Sequence, residues 1–349
     1  MDRSEDVAPW REPVRGGYPD PALAGLPGVE QVRALMEGRA PAPPISHLLG
    51  MSVTDVGVAA VAFSMPATRW LLSSQGVISL GTLAILADGP LGCSVHGALP
   101  AGTVYGTSEL SLRLLRPARA AGNLVARGRL IHAGRSLALS GVQIFDGAGR
   151  LLADGSSLCF VRPARGLRDD GATAEAATGD GRPARTEPAD PYERPVVGEV
   201  LGEDVWERMS GLEILRAQLA GDLPLPPIHH LTGVALTAAG PEEAVFELPC
   251  HEWLCSPLAT VEGGVIAMLA DCALVSAIQT VAPPGTAAAA VDLKVNFLRP
   301  VAPDGRTLTA RGRVRHAGRA ISVAEAEVVN ADGKTVALAT GSAVMRGRR

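Results

Sequence analysis

Two apolar stretches dominate the hydropathy pattern. VEGGVIAMLAD (Val261–Asp271) opens a run that stays apolar to Ala282, and ISLGTLAILAD (Ile78–Asp88) opens a similar run upstream. Both are too long for strands and predict long, buried helices, and each is interrupted by an aspartate. Glu262, Asp271 and Gln279 mark Gly263–Ala282 as a core helix and not a membrane span. Shorter amphipathic helices are predicted earlier, with apolar residues at Val29, Val32, Leu35 and Met36, and at Leu212, Leu215 and Leu219. A PPI segment is expected to end each of them. Strands are predicted at Val58–Met65 and Glu243–Leu248, and after the second long helix at Ala290–Leu298, Thr307–Ala317, Ala320–Asn330 and Lys334–Met345. Alternation is clear in VAEAEVV, and HAGR and NADG read as hairpin turns. One buried helix against an antiparallel sheet is an α+β arrangement.

The pattern occurs twice. PPISHLLG (Pro43–Gly50) aligns with PPIHHLTG (Pro226–Gly233), Trp70 with Trp253, Asp88 with Asp271, and Leu115–Pro117 with Leu298–Pro300, all 183 positions apart. One inserted residue later, RGRLIHAGR (Arg127–Arg135) meets RGRVRHAGR (Arg311–Arg319). A period this long means two copies of one domain, not a solenoid. The expected organisation is an extension at 1–27, a domain at 28–163, a linker at 164–198 and a second domain at 199–346. The linker is rich in Ala, Gly, Pro, Asp and Thr, so it buries too little surface to offset its ordering entropy.

Composition narrows the function. A formal net charge of −4 and 3% aromatic residues argue against a nucleic-acid surface. Five cysteines without metal-ligand spacing read as reduced, mostly buried thiols of a cytoplasmic protein. The N-terminus lacks the apolar core of a signal peptide, and no membrane span is indicated. Neither GxSxG nor a P-loop is present, which disfavours a triad hydrolase or nucleotide enzyme.

Asp88 and Asp271 are therefore the most informative residues. A carboxylate in an apolar helix shifts its pKa or finds partners. The bland reading is a cap on a loop, or an ion pair with Arg116 or Arg299. The functional reading is a general base or a nucleophile. Gly263 and Gly264 could expose helix N-terminal amides to a developing oxyanion, or could simply allow close packing.

At these residues each copy resembles a hotdog-fold domain of the PaaI-like acyl-CoA thioesterases. The resemblance rests on the Gly-Gly helix start, LAD on the helix, the LRP strand end and the HAGR hairpin. It implies two hotdog domains, each a long buried helix wrapped by an antiparallel sheet, paired as an internal pseudo-dimer with sites at the interface. It also implies an acyl-CoA thioesterase without a cofactor, and further association into a homo-oligomer. The family places Asn, then His-Gly-Gly, before the acid. Here those positions hold Ser73 and Ser79-Leu80-Gly81 in the first copy, and Ser256 and Glu262-Gly263-Gly264 in the second. A hydroxyl assisting the acid would fall at Thr107, where the second copy has Ala290.

On this basis one site combines Asp88 and Thr107 with Ser256, Glu262, Gly263 and Gly264, and it is expected to be the working one. The other combines Asp271 and Ala290 with Ser79, Leu80 and Gly81. Glu262 is either a catalytic group or a side chain complementing the helix dipole. Arg299, Arg319, His316, Arg116 and Arg135 are candidates for the phosphates of coenzyme A, although strand-end arginines are commonly solvated. The tail Met345–Arg349 reads as a frayed end. Competing readings are a non-catalytic acyl-CoA-binding pair and, with less support, a hydratase, since His96 follows Asp88 on the same segment but no histidine follows Asp271 on its own.

Overall fold

The computed structural model describes residues 8–163 and 189–347. The first copy runs α1 (Gly28–Met36), α2 (Pro44–Leu49), β1 (Ser52–Val56), β2 (Ala60–Pro66), α3 (Leu80–His96), β3 (Thr103–Leu114), β4 (Asn123–Ala133), β5 (Leu137–Phe145) and β6 (Leu151–Pro163). The second opens with α4 (Glu203–Arg208) and α5 (Gly211–Ala220), then α6 (Pro227–Thr232), β7 (Ala235–Gly240), β8 (Glu243–Pro249), α7 (Gly263–Gln279), β9 (Thr286–Phe297), β10 (Thr307–Ala317), β11 (Ile321–Val329) and β12 (Thr335–Gly347).

The expected α+β pairing is realised as one antiparallel sheet of twelve strands, in the order β1-β2-β4-β5-β6-β3-β9-β12-β11-β10-β8-β7. The order is palindromic: each strand of one copy has its counterpart at the mirrored place. The halves join where β3 pairs with β9, from Glu109 opposite Asn296 to Arg113 opposite Asp292. Along β10 and β11 alternate residues are buried, which turns Leu308, Ala310, Ala324, Ala326 and Val328 toward the helices. The two long helices, α3 and α7, lie against this surface and against each other. The main apolar cluster, including Leu83, Ile85, Leu110, Met268, Leu269 and Val295, runs through both copies. Smaller clusters around Val95 and Val161 in the first copy and around Trp206 and Ile214 in the second flank it.

The helix crossing depends on two glycines. A Cβ on Gly264 would stand 2.5 Å from the Ile85 Cα, and one on Gly81 would stand 2.8 Å from the Met268 Cα. The obstacles are backbone atoms, so neither could swing aside.

The structure differs from the sequence reading in three places. The PPI segments do not end a helix; Pro44 and Pro227 occupy first-turn positions of α2 and α6, where the missing N–H is harmless. The edge strands β1 and β7 were not anticipated. Residues 8–27, read as a loose extension, are docked. The indole of Trp253 donates to the Glu12 carbonyl (3.0 Å), while the equivalent Trp70 donates to the Arg194 carbonyl (3.0 Å). PWREPVRG (Pro9–Gly16) and PYERPVVG (Pro191–Gly198) thus extend the repeat upstream. Each strap begins on the opposite copy, Trp10 against Gly233 and Tyr192 against Gly50, before reaching its own. Ion pairs Glu12–Arg194 and Arg15–Asp190 join the two straps. Of the expected linker, residues 189–198 belong to this docked strap, and residues 164–188 lie outside the described residues.

Gly264→Ala is expected to destabilise the whole chain in one transition by about 1–3 kcal/mol or more, because the added methyl overpacks the helix crossing. Urea unfolding followed by far-UV circular dichroism checks this; a separate transition for each half would contradict the shared core.

Candidate active site

The helix crossing places each aspartate at the start of the other helix. The Gly264 N–H donates to Asp88 Oδ2 at 3.0 Å, and the Gly81 N–H donates to Asp271 Oδ2 at 2.8 Å. First-turn amides have no intrahelical acceptor, so a carboxylate there is both hydrogen-bonded and favoured by the helix dipole. Burial acts the other way and wins. It pushes both Asp88 and Asp271 up to about 6, against the lowering effect of the amides and, for Asp271, of the Ser79 hydroxyl.

The two sites then diverge. At Asp88 the helix-start residue is Glu262, only 6% exposed, with Oε2 lacking a hydrogen-bond partner. Burial, and then repulsion from Asp88, hold its carboxyl well above the usual carboxylate range. The space beside this pair is filled. Tyr105 on β3 projects its phenol over Gly92 of α3, where a Cβ would meet the hydroxyl at 2.4 Å, and it packs with Val95, Leu99 and Val161. Its counterpart in the second copy is Ala288, and that of Gly92 is Val275.

At Asp271 the corresponding space is open. A cavity of about 360 Å³ is walled by Ser79, Leu80 and Thr82 at the start of α3, Asp271 and Met268 of α7, and Ala288 and Ala290 of β9. Trp206 and Leu215 of the α4–α5 segment also line it. Ser79 caps α3 through the Thr82 amide at 3.0 Å. Arg116 and Arg346, both solvent-accessible, lie at the cavity's margin.

The site expected to be the working one is the more crowded of the two. Asp88, Glu262, Gly263 and Gly264 do meet, and a Cβ on Gly263 would come within 3.0 Å of Asp88 Oδ2. Thr107 lies opposite Cys159, within hydrogen-bond reach of that thiol. The Ser256 hydroxyl accepts from the Leu258 amide in its own turn. Among the proposed cation contacts, Arg116 reaches the cavity but also donates to the Leu151 carbonyl (2.7 Å), and Arg299 likewise binds the Thr335 carbonyl. Arg299, Arg319, His316 and Arg135 do not line the cavity. Arg346, read as part of a frayed tail, is held in β12 opposite Ala287. Setting Tyr105 beside Ala288 in the repeat would have signalled which space is open.

Two stretches, residues 75–153 and 258–337, match the model of the thioesterase superfamily. The chain is 43% identical over 79 residues to acyl-coenzyme A thioesterase PaaI of Escherichia coli (strain K12), a match covering 23% of this chain and 54% of the relative. The chain therefore spans about half the length of that curated relative. Two solved structures align along most of the chain. A hotdog-fold protein of unknown function from Alicyclobacillus acidocaldarius has a TM-score of 0.52 at 15% identity, covering 85% of this chain and 97% of its own. The tesB protein of Mycobacterium avium subs paratuberculosis has a TM-score of 0.50 at 13% identity, covering 91% and 99%. This is a tandem hotdog protein resembling the PaaI-like acyl-CoA thioesterases.

Asp88 and Glu262 carry a pH signature. Both bind a proton more tightly folded than unfolded, so their contribution to stability is complete in acid and is lost as pH rises through their folded values. Glu262→Gln is expected to raise Tm at pH 8, with the gain shrinking toward about pH 4, where an unfolded glutamate is itself largely protonated. Thermal melts across that range check the sign.

Proposed function

We propose that the chain hydrolyses acyl-CoA thioesters and that the Asp271 site does the work. One observation carries this reading: a buried carboxylate, held by the first turn of the opposing helix, forms part of the wall of an open, largely apolar cavity. The name of the Escherichia coli relative and the superfamily match support the same chemistry.

The geometry suits it. The Gly81 amide anchors Oδ2 of Asp271 and the Ser79 hydroxyl favours its ionised form, so the carboxylate is placed to take a proton from water or to attack the thioester carbon. A carboxylate whose pKa is raised to about 6 is a stronger base than an exposed one and is still ionised at neutral pH. When water attacks, its proton passes to Asp271 and the carbonyl electrons move onto oxygen. The start of α3, where the Leu80 amide has no intrahelical acceptor, stabilises that charge. Collapse breaks the carbon–sulfur bond, and the proton on Asp271 goes to the departing thiolate. Arg116 and Arg346 supply cations for the phosphates of coenzyme A.

The alternative is a chain that binds acyl-CoA without cleaving it. The substitutions of Ser79 and Leu80 for His and Gly favour that reading. Thiol release from a panel of acyl-CoA esters separates the two, since binding without release would leave only the alternative.

If hydrolysis occurs, kcat/KM rises tenfold per pH unit up to about 6 and levels off above it, because the deprotonated acid is the active form. Asp271→Asn is expected to lower kcat at least about 100-fold. Asp88→Asn should leave it within a few-fold and keep the acid limb, assigning that limb to Asp271. The opposite pattern would move the chemistry to Asp88.

A further inference from the structure

The cavity contains polar groups that thioester cleavage does not use. Comparison of the two copies shows that they belong to the open side. Where the first copy has Leu35, Cys93 and Ser46, the second has Gln218, Ser276 and His229, and all three line the cavity. Around them the wall is apolar: Ile228, Leu236, Phe246, Met268 and Val275.

His229 is fixed and neutral. It sits on α6 with its ring edge-on to Phe246, centroids 5.8 Å apart at 84°. Its Nδ1 is buried without a hydrogen-bond partner. A buried N–H with no acceptor is costlier than a bare lone pair, which puts the proton on Nε2. Burial, followed by the neighbouring His230, pushes its pKa down to about 3, so the ring stays uncharged near neutral pH. What it can offer the cavity is an Nε2–H donor. Gln218 offers the converse. Its Nε2 already donates to Ser74 Oγ (3.1 Å) and to the Pro224 carbonyl (3.0 Å), so Oε1 remains an acceptor. A donor and an acceptor in one apolar chamber suit a group that both accepts and donates, which a hydroxyl does and a plain alkyl chain does not.

We infer that His229 is a specificity-determining residue, and that the acyl group taken by this cavity carries a hydroxyl on an otherwise apolar chain. This rests on the reading of the cavity as a thioester site. The cavity has a volume of about 360 Å³. A hydroxylated six-carbon acyl group with the thiol end of coenzyme A fits that volume.

The test compares hexanoyl-CoA with the set of monohydroxyhexanoyl-CoA isomers, using full-length protein and two readouts. One is kcat/KM from released thiol. The other is the Kd of the matching non-hydrolysable thioethers by titration calorimetry. At least one isomer is expected to be preferred over hexanoyl-CoA by about tenfold, the worth of one well-made hydrogen bond in a buried site. His229→Phe should erase that preference, bringing the ratio of the preferred isomer to hexanoyl-CoA to about one in both readouts, and His229→Asn, which keeps an N–H donor, should retain part of it. If no isomer is preferred in either readout, or if His229→Phe weakens hydroxylated and plain chains equally, the inference is overturned. Equal weakening would place the ring against pantetheine or in a purely structural role. Preference in Kd without thiol release would instead overturn the hydrolytic reading and leave this one standing.

Discussion

The structure depends on one reciprocal contact: two helices cross so closely that each lends its first-turn amide to a carboxylate of the other. That contact needs glycine at 81 and 264, because a side chain there would strike backbone atoms. It also needs both halves, since neither aspartate can reach an amide of its own helix start in the same way. Sheet continuity through β3 and β9 and the crossed straps hold the halves in the register the contact demands. The same closeness excludes water, and dehydration, acting against the amide hydrogen bonds, raises both acids. Helix packing and acid chemistry are thus one physical arrangement. A substitution that loosened the crossing would change the basicity of Asp271 as well as the stability of the chain.

On this symmetric frame the contents of the two sites differ, and the differences act in one direction. Tyr105 with Gly92 fills the first copy; Ala288 with Val275 leaves room in the second. Glu262 places a second carboxyl against Asp88, and two acids at such range cannot both ionise cheaply. Asp271 has the neutral Ser79 in the equivalent place, whose hydroxyl favours the ionised form. Space, and the ability to hold a negative charge, therefore fall to the same site. That is why the Asp271 side is the better candidate for hydrolysis, although the Asp88 side has the Gly-Gly that looks more like an oxyanion hole on paper.

Much of this was legible in the residues. The 183-residue offset gave two copies, the apolar runs gave α3 and α7, and an aspartate at the same place in both marked the interface acids. What escaped had physical reasons. Ser52–Val56 and Ala235–Gly240 are short edge strands with weak burial alternation, so no clear period-two pattern announces them. The straps resemble linker because they are short and proline-rich, held by main-chain carbonyls and by scattered contacts of Trp10, Val14, Tyr192 and Val196 that follow no helix or strand period. The choice between the sites turned on volume. Tyr105 and Ala288 are both ordinary strand residues, and only the space around each, set by residues far away in the chain, makes one a plug and the other part of a cavity wall. Motif reading weighs the identities of reactive groups; it does not weigh what fills the space beside them.

The tandem arrangement makes such divergence available. In a homodimer of single domains every substitution appears in both sites, so a tyrosine that closes one closes the other, and a histidine placed for recognition enters both. Once the copies share a chain, each position can vary alone. One site can be filled to strengthen the core, as the packing of Tyr105 with Val95, Leu99 and Val161 does, while its twin keeps a chamber. The constraint that remains is the reciprocal crossing itself, for Asp88 must still answer the Gly264 amide even where no chamber adjoins it. The persistence of the aspartate in the plugged half then needs no catalytic explanation: it caps the helix that carries Asp271, and by fixing the start of α7 it helps fix the acid two turns further along.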